Sequence, residues 1–66
     1  MIELWIDSDY EQDVKSCNYR FSYDEEHGAY RVIIDGVDEL YWLIDQTWET
    51  IAEHFGFQPE SVIYCA

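Results

Sequence analysis

The chain has 66 residues, enough for one domain spanning 1–66 and too few for two. Its 48% hydrophobic and 18% aromatic content excludes intrinsic disorder, because disordered chains are poor in aromatic side chains. Fifteen Asp and Glu face only three Lys and Arg, a formal net charge of -12, which excludes direct binding to nucleic acid or to an anionic membrane surface.

The first predicted element is IELWI (2–6), a strand with Glu3 pointing outward or at an edge. DSDYEQD (7–13) follows, with Asp7, Asp9, Glu11 and Asp13 at alternate positions and Tyr10 interrupting them. Residues 7–17 form an acidic connection that is either extended or a short helix. If it is extended, alternate carboxylates share one face at intervals of about 6.8 Å. Adjacent phosphates of one DNA strand rise about 3.4 Å along the axis and are separated by on the order of twice that.

NYRFSYD (18–24) alternates with a period of two, placing Tyr19, Phe21 and Tyr23 on one side and Asn18, Arg20 and Ser22 on the other. EEHG is a turn in which Gly28 supplies a positive φ, and AYRVIID (29–35) returns as the partner strand. Asp24, Glu25 and Glu26 crowd this turn, and Asp35, Asp38 and Glu39 crowd the next one, at Asp35-Gly36. DELYWLI (38–44) fits either a third strand or the first turns of a helix.

A helix is predicted over about 45–55, capped by Asp45 and ended by Gly56 and Pro59. Ile44, Trp48, Ile51, Ala52 and Phe55 form its apolar stripe, while Asp45, Glu49 and Glu53 stand at i, i+4 and i+8 as one acidic ridge. Such like-charge pairs cost about 0.2 to 0.5 kcal/mol each, and no Lys or Arg at i+4 offsets them. SVIYC (61–65) is β-rich and closes the sheet, unless Pro59 at a first helical position starts a short helix. The predicted class is α+β, a small antiparallel sheet centred on the 18–35 hairpin and packed against one main amphipathic helix.

Clustering is the informative property of the charge. A folded chain of this size exposes roughly 4,400 Å², so fifteen evenly spread carboxylates would stand roughly 17 Å apart. That exceeds the Debye length of about 8 Å at physiological salt, and each would act singly. Solubility calls for a net charge of only about 2 to 8 in a small domain. The excess, gathered in Asp7, Asp9, Glu11, Asp13, Asp24, Glu25, Glu26, Asp45, Glu49 and Glu53, points to a basic partner. Tyr10 is the aromatic candidate for that contact, since aromatic residues dominate interface energetics.

Motifs for chemistry fail on spacing. An EF-hand loop beginning at Asp7 needs Gly at its sixth position and Glu at its twelfth, where Gln12 and Asn18 stand. Cys17, His27, His54 and Cys65 match a zinc site in number but contain no paired Cys or His spacing. No local context supports a Cys–His nucleophile, and so short a chain has little room for a substrate cleft. No enzyme activity, metal or cofactor is expected. The segment MIELWIDSD has neither the basic region nor the apolar run of a signal peptide, and no stretch approaches the roughly 20 apolar residues of a membrane span. With two cysteines, reduced thiols in a cytosolic setting are the default; a Cys17–Cys65 bridge would need an oxidising compartment.

DQTWETIAEHFGFQPESVI (45–63) loosely resembles the helical part of LysM modules, which implies carbohydrate binding, but Ile44-Asp45 lacks the expected Gly-Asp turn. An amphipathic helix docked on a sheet accounts for the same pattern. Over its whole length the chain resembles in type the small acidic inhibitors encoded by phages, including DNA-mimicking anti-CRISPR and anti-restriction proteins. This resemblance rests on composition and charge arrangement and carries no residue assignments. It implies a steric and electrostatic inhibitor in the cytoplasm of an infected bacterium, set on the basic PAM-reading or target-duplex surface of a CRISPR–Cas effector complex. The contrasting expectation is an acidic adaptor or antitoxin-like module that binds a basic protein without mimicry.

Overall fold

Ile2, Leu4 and Ile6 are buried while Glu3, Trp5 and Asp7 between them are only partly covered, the period-two burial of a strand with one face on a core. The computed structural model describes residues 1–36 and 47–65. Its strands are β1 (Ile2–Asp7), β2 (Arg20–Asp24), β3 (Ala29–Ile34) and β4 (Val62–Cys65), and its helices are α1 (Glu11–Lys15) and α2 (Trp48–His54). The strands form one antiparallel sheet in the order β2-β3-β1-β4. The predicted α+β class and central hairpin are therefore present.

β1 lies at the centre, with Ile2 opposite Ile34, Leu4 opposite Val32 and Ile6 opposite Tyr30. These six side chains make one apolar face. Val14 of α1 and Ile51 and Ala52 of α2 join the same buried cluster with Phe57, so both helices cover that face. Burial of each large aliphatic side chain contributes about 1.5 to 3 kcal/mol, so this cluster is the main source of stability. Tyr19 ties the start of the hairpin to the helix end through Phe55, edge to face at 5.8 Å, and Phe57 at 6.5 Å.

The 7–17 connection is helical, not extended. Asp7 accepts the Asp9 backbone N–H at 2.9 Å, starting a 3-10 turn (Ser8–Tyr10) that runs into α1. Val14 drives this choice, because one helical turn puts it wholly inside the core while the polar residues around it stay outside. The comb of evenly spaced carboxylates expected of an extended segment does not form.

α2 is shorter than the predicted 45–55. Thr47 is its N-cap, its hydroxyl accepting the Thr50 N–H at 3.3 Å. Asp45, the expected cap, lies outside the described residues, as do Ile44 and the ambiguous 38–44 segment with Asp38 and Glu39. The helix ends where expected: Phe57 N–H reaches Ala52 C=O at 2.9 Å and Gly56 N–H reaches Glu53 C=O at 3.1 Å. Gly56 supplies the positive φ of 89° that this Schellman closure requires. Trp48 departs from the predicted apolar stripe. It is 44% exposed and meets Tyr64 edge to face at 5.6 Å, because it stands at the first helical residue, beyond the part of α2 that faces the sheet.

Both readings of the C-terminal segment hold in succession. Pro59–Ser61 is a 3-10 turn and Val62–Cys65 is the strand beside β1. Cys17 and Cys65 are free, half-buried thiols. Among the described residues, no helix is long and apolar enough to cross a membrane.

Glu49 lies in the first turn of α2, where the helix dipole favours a carboxylate, and Glu53 lies near its end, where the dipole opposes one. Changing Glu53 to Gln should therefore raise the melting temperature by about 2 °C, with Glu49→Gln neutral or slightly lowering it. A thermal melt of each variant checks this, and a clear loss on Glu53→Gln would make that carboxylate a structural partner.

Candidate functional site

The register of the sheet decides where the acids go. Asp24 pairs with Ala29 and Ala29 with Asp7, so the three lie in one row at one end of the sheet. β1 and β2 finish at this end, and β3 and β4 begin there. Glu25 and Glu26 in the hairpin turn, Asp9 beyond β1 and Glu60 ahead of β4 accordingly gather at the same end. Asp24 and Asp7 stand two strands apart, about 10 Å. Fifteen carboxylates spread evenly over the 4442 Å² surface would be roughly 17 Å apart. Asp7 and Asp24 are therefore closer than even spacing but still beyond the Debye length of about 8 Å. The acids that act together are Asp7, Asp9, Asp13 and Glu60 about Tyr10, and Asp24 with Glu26 at the hairpin turn.

All three cations are occupied. Lys15 Nζ is 3.1 Å from Glu11, Arg20 is 2.7 Å from Asp35, and Arg31 pairs with Glu3. The chain has no other Lys or Arg. Among the described residues no ion pair reaches Asp7, Asp9, Asp13, Glu25, Glu26 or Glu60, although Arg31, engaged with Glu3, lines the same depression as Glu25 and Glu26.

The acids predicted from 7–13 separate into two groups. Asp7, Asp9 and Asp13 surround Tyr10 together with Glu60; burial and then these four carboxylates push the Tyr10 hydroxyl above its usual value of 10. Tyr10 packs partly against the core, so its whole ring is not offered to a partner. Asp13 also accepts from the Gln58 side chain at 3.1 Å, tying α1 to the loop before β4. Glu11 turns inward instead. It accepts the Tyr30 hydroxyl and pairs with Lys15, and these partners hold its carboxyl below the usual 4.5.

At the hairpin turn Asp24 accepts the backbone N–H of Glu26 at 2.9 Å and of His27 at 3.3 Å, and its second oxygen is 3.0 Å from His27 Nδ1. The His27 contact is the main reason the Asp24 carboxyl is lowered. Gly28, at φ 60°, closes the turn. Asp24, Glu26 and His27 bring ligand atoms within 4.8 Å of one another, a spacing that admits a cation, but Asp24 is already satisfied by the turn it builds. Glu49 and Glu53 are exposed on α2, apart from this row; Asp45 is outside the described residues.

Several residues were invisible to sequence reasoning. Glu60 reaches the Tyr10 cluster only through the β1–β4 pairing, far along the chain. Trp5 and His27 belong to the face of the sheet opposite the buried cluster, their rings 5.0 Å apart, and Tyr64, opposite Trp5 in the register, joins them while also meeting Trp48 of α2. Only Glu3 of this face was expected outward or at an edge; Trp5, which shares its strand face, and its neighbours were not singled out.

The Tyr30–Glu11 contact has a pH signature. Tyr30 is pushed up to about 12, first by its hydrogen bond to Glu11 and then by burial. A raised tyrosine contributes stability below 10 that is lost as pH climbs toward 12. A lowered glutamate contributes stability above 4.5 that is lost as pH falls through its depressed folded value. Tyrosinate absorbance should show one late component near pH 12, and Glu11→Gln should move it toward 10 while flattening the acid limb of the stability curve. Tyr10, raised by burial and then by other carboxylates, should not move. An unchanged late component would place Tyr30 against some other group.

No protein-family model matches the chain, and neither a curated protein nor a solved structure is significantly similar to it.

Proposed function

We propose that this protein is an acidic inhibitor that mimics DNA. Its carboxylates occupy the Lys/Arg-lined surface with which a CRISPR–Cas effector complex reads the PAM or holds the target duplex, and exclude the DNA. The observation carrying this reading is the acidic end of the sheet, where acids from β1, β2 and the approach to β4 converge and outnumber the one Arg beside them, Arg31, which is engaged with Glu3. A field of that kind attracts a surface built to bind phosphate, and charge complementarity makes the encounter fast and salt-dependent. The choice of a CRISPR–Cas effector among such surfaces rests on the resemblance in type to phage-encoded inhibitors, and with it the cytoplasm of an infected bacterium as the site of action.

The mechanism asks little of the chain beyond rigidity. Asp7 and Asp24 are fixed by hydrogen bonds within their own turns, so the acidic row is ordered before the partner arrives. Binding then loses little side-chain entropy at those positions. Glu11 contributes to the fold, through Tyr30, and not to this row.

Asp9, Glu25, Glu26 and Glu60 changed together to Asn and Gln should weaken inhibition of effector–DNA binding roughly tenfold or more at physiological salt. The melting temperature should hold or rise, since repulsion is relieved. A DNA-binding competition assay with the purified effector reads this out. Inhibition equal to that of the parent would mean that the acidic end is not the contact surface.

A further inference from the structure

We propose that the face of the sheet around Trp5 is a docking site for arginine side chains of a basic protein partner. This deepens the function proposed above and rests on its basic-partner reading.

Trp5 separates two adjoining depressions. One is mostly apolar, lined by Trp5, Tyr64, Ile63, Ala29 and His27, with Glu3 at its margin with the other. The other is acidic, running from Trp5 to Asp24, Glu25 and Glu26. Ile63 and Tyr64 are 48% and 51% exposed on the edge strand β4; the buried cluster under the helices lies on the other face, and Tyr64 alone also meets Trp48 of α2, edge to face, around the sheet edge. An aromatic surface that passes directly into the carboxylates of Glu25 and Glu26, which have no ion pair among the described residues, suits a side chain with an apolar stem and a cationic head.

Charge complementarity selects the occupant. A second copy of the chain would bring another acidic end against this one, and a plain apolar segment would leave the neighbouring carboxylates to be desolvated without a partner. Arginine satisfies both depressions: its planar guanidinium stacks on an aromatic ring and donates to carboxylates in the same plane, which a lysine ammonium cannot do. The face already accommodates one such group. Arg31, directly opposite Trp5 in the register, lies in the acidic depression and gives both Nε and a terminal nitrogen to Glu3.

The test is titration of the ¹⁵N-labelled protein with oligo-arginine and oligo-lysine peptides of equal length at physiological salt. The three tryptophan indole N–H signals are followed, that of Trp5 being identified by its loss in Trp5→Leu. The Trp5 indole should shift, and oligo-arginine should bind roughly fivefold more tightly than oligo-lysine. Trp5→Tyr should keep the arginine preference and Trp5→Leu should abolish it. If Trp5→Leu fails to fold, the two peptides on the parent protein with Trp5→Tyr still decide the question. Equal affinities, or shifts confined to the hairpin turn, would overturn the arginine site while leaving a basic partner in place. Binding of neither peptide would overturn both. A Trp5 shift that follows protein concentration without peptide would mean that a second copy covers this face, and would also overturn it.

Discussion

The pairing of β1 with β3 is the interaction on which both the core and the acidic end depend. Ile2 opposite Ile34 through Asp7 opposite Ala29 puts every even residue of β1 into the core and brings Asp7 level with Asp24. A slip of one residue would turn Ile2, Leu4 and Ile6 to the open face and Glu3, Trp5 and Asp7 into the core. The apolar pattern therefore specifies the register, and the register assembles the charge. An acidic row in which like charges repel is held by hydrophobic burial on the opposite side of the same strand.

The few cations are used for structure. Lys15, together with the Tyr30 hydroxyl, holds Glu11 against the sheet, and Arg31 holds Glu3 on the open face. Arg20 and Asp35 form an exposed pair, which contributes little. Arg31 lies beside the hairpin turn but is engaged with Glu3, so the row formed by Asp7, Asp24 and the turn keeps an excess of negative charge. The result is a domain whose charge asymmetry survives folding, and the proposed inhibition of a DNA-binding protein rests on that asymmetry.

Much of this was legible in the residues. Period-two alternation marked β1 and the hairpin, Gly28 marked its turn, and Gly56 with the stripe of Ile51, Ala52 and Phe55 marked the helix and its end. The 7–17 segment was not decidable, because its carboxylates alternate like a strand while one residue, Val14, anchors it as a helix; local pattern weighs the four acids and tertiary burial weighs Val14. Trp48 looked like core because it stood at the right spacing, yet at the first helical residue it turns to Tyr64. The crowding of the hairpin turn was visible as consecutive acids. Its meeting with Asp7 and Glu60 was not, since it arises from strand order and register, which one sequence does not display.

The central claim, that this acidic end takes the place of DNA, is tested most directly by competition with DNA itself. The immobilised protein would be charged from bacterial lysates containing CRISPR and restriction machinery, then eluted in parallel with duplex DNA at physiological ionic strength and with high salt. The account predicts that duplex DNA alone releases a nucleic-acid-binding complex, the same one that salt releases. A partner that salt removes but excess duplex leaves bound would contradict it, and would make the protein an adaptor for a basic surface that does not bind DNA.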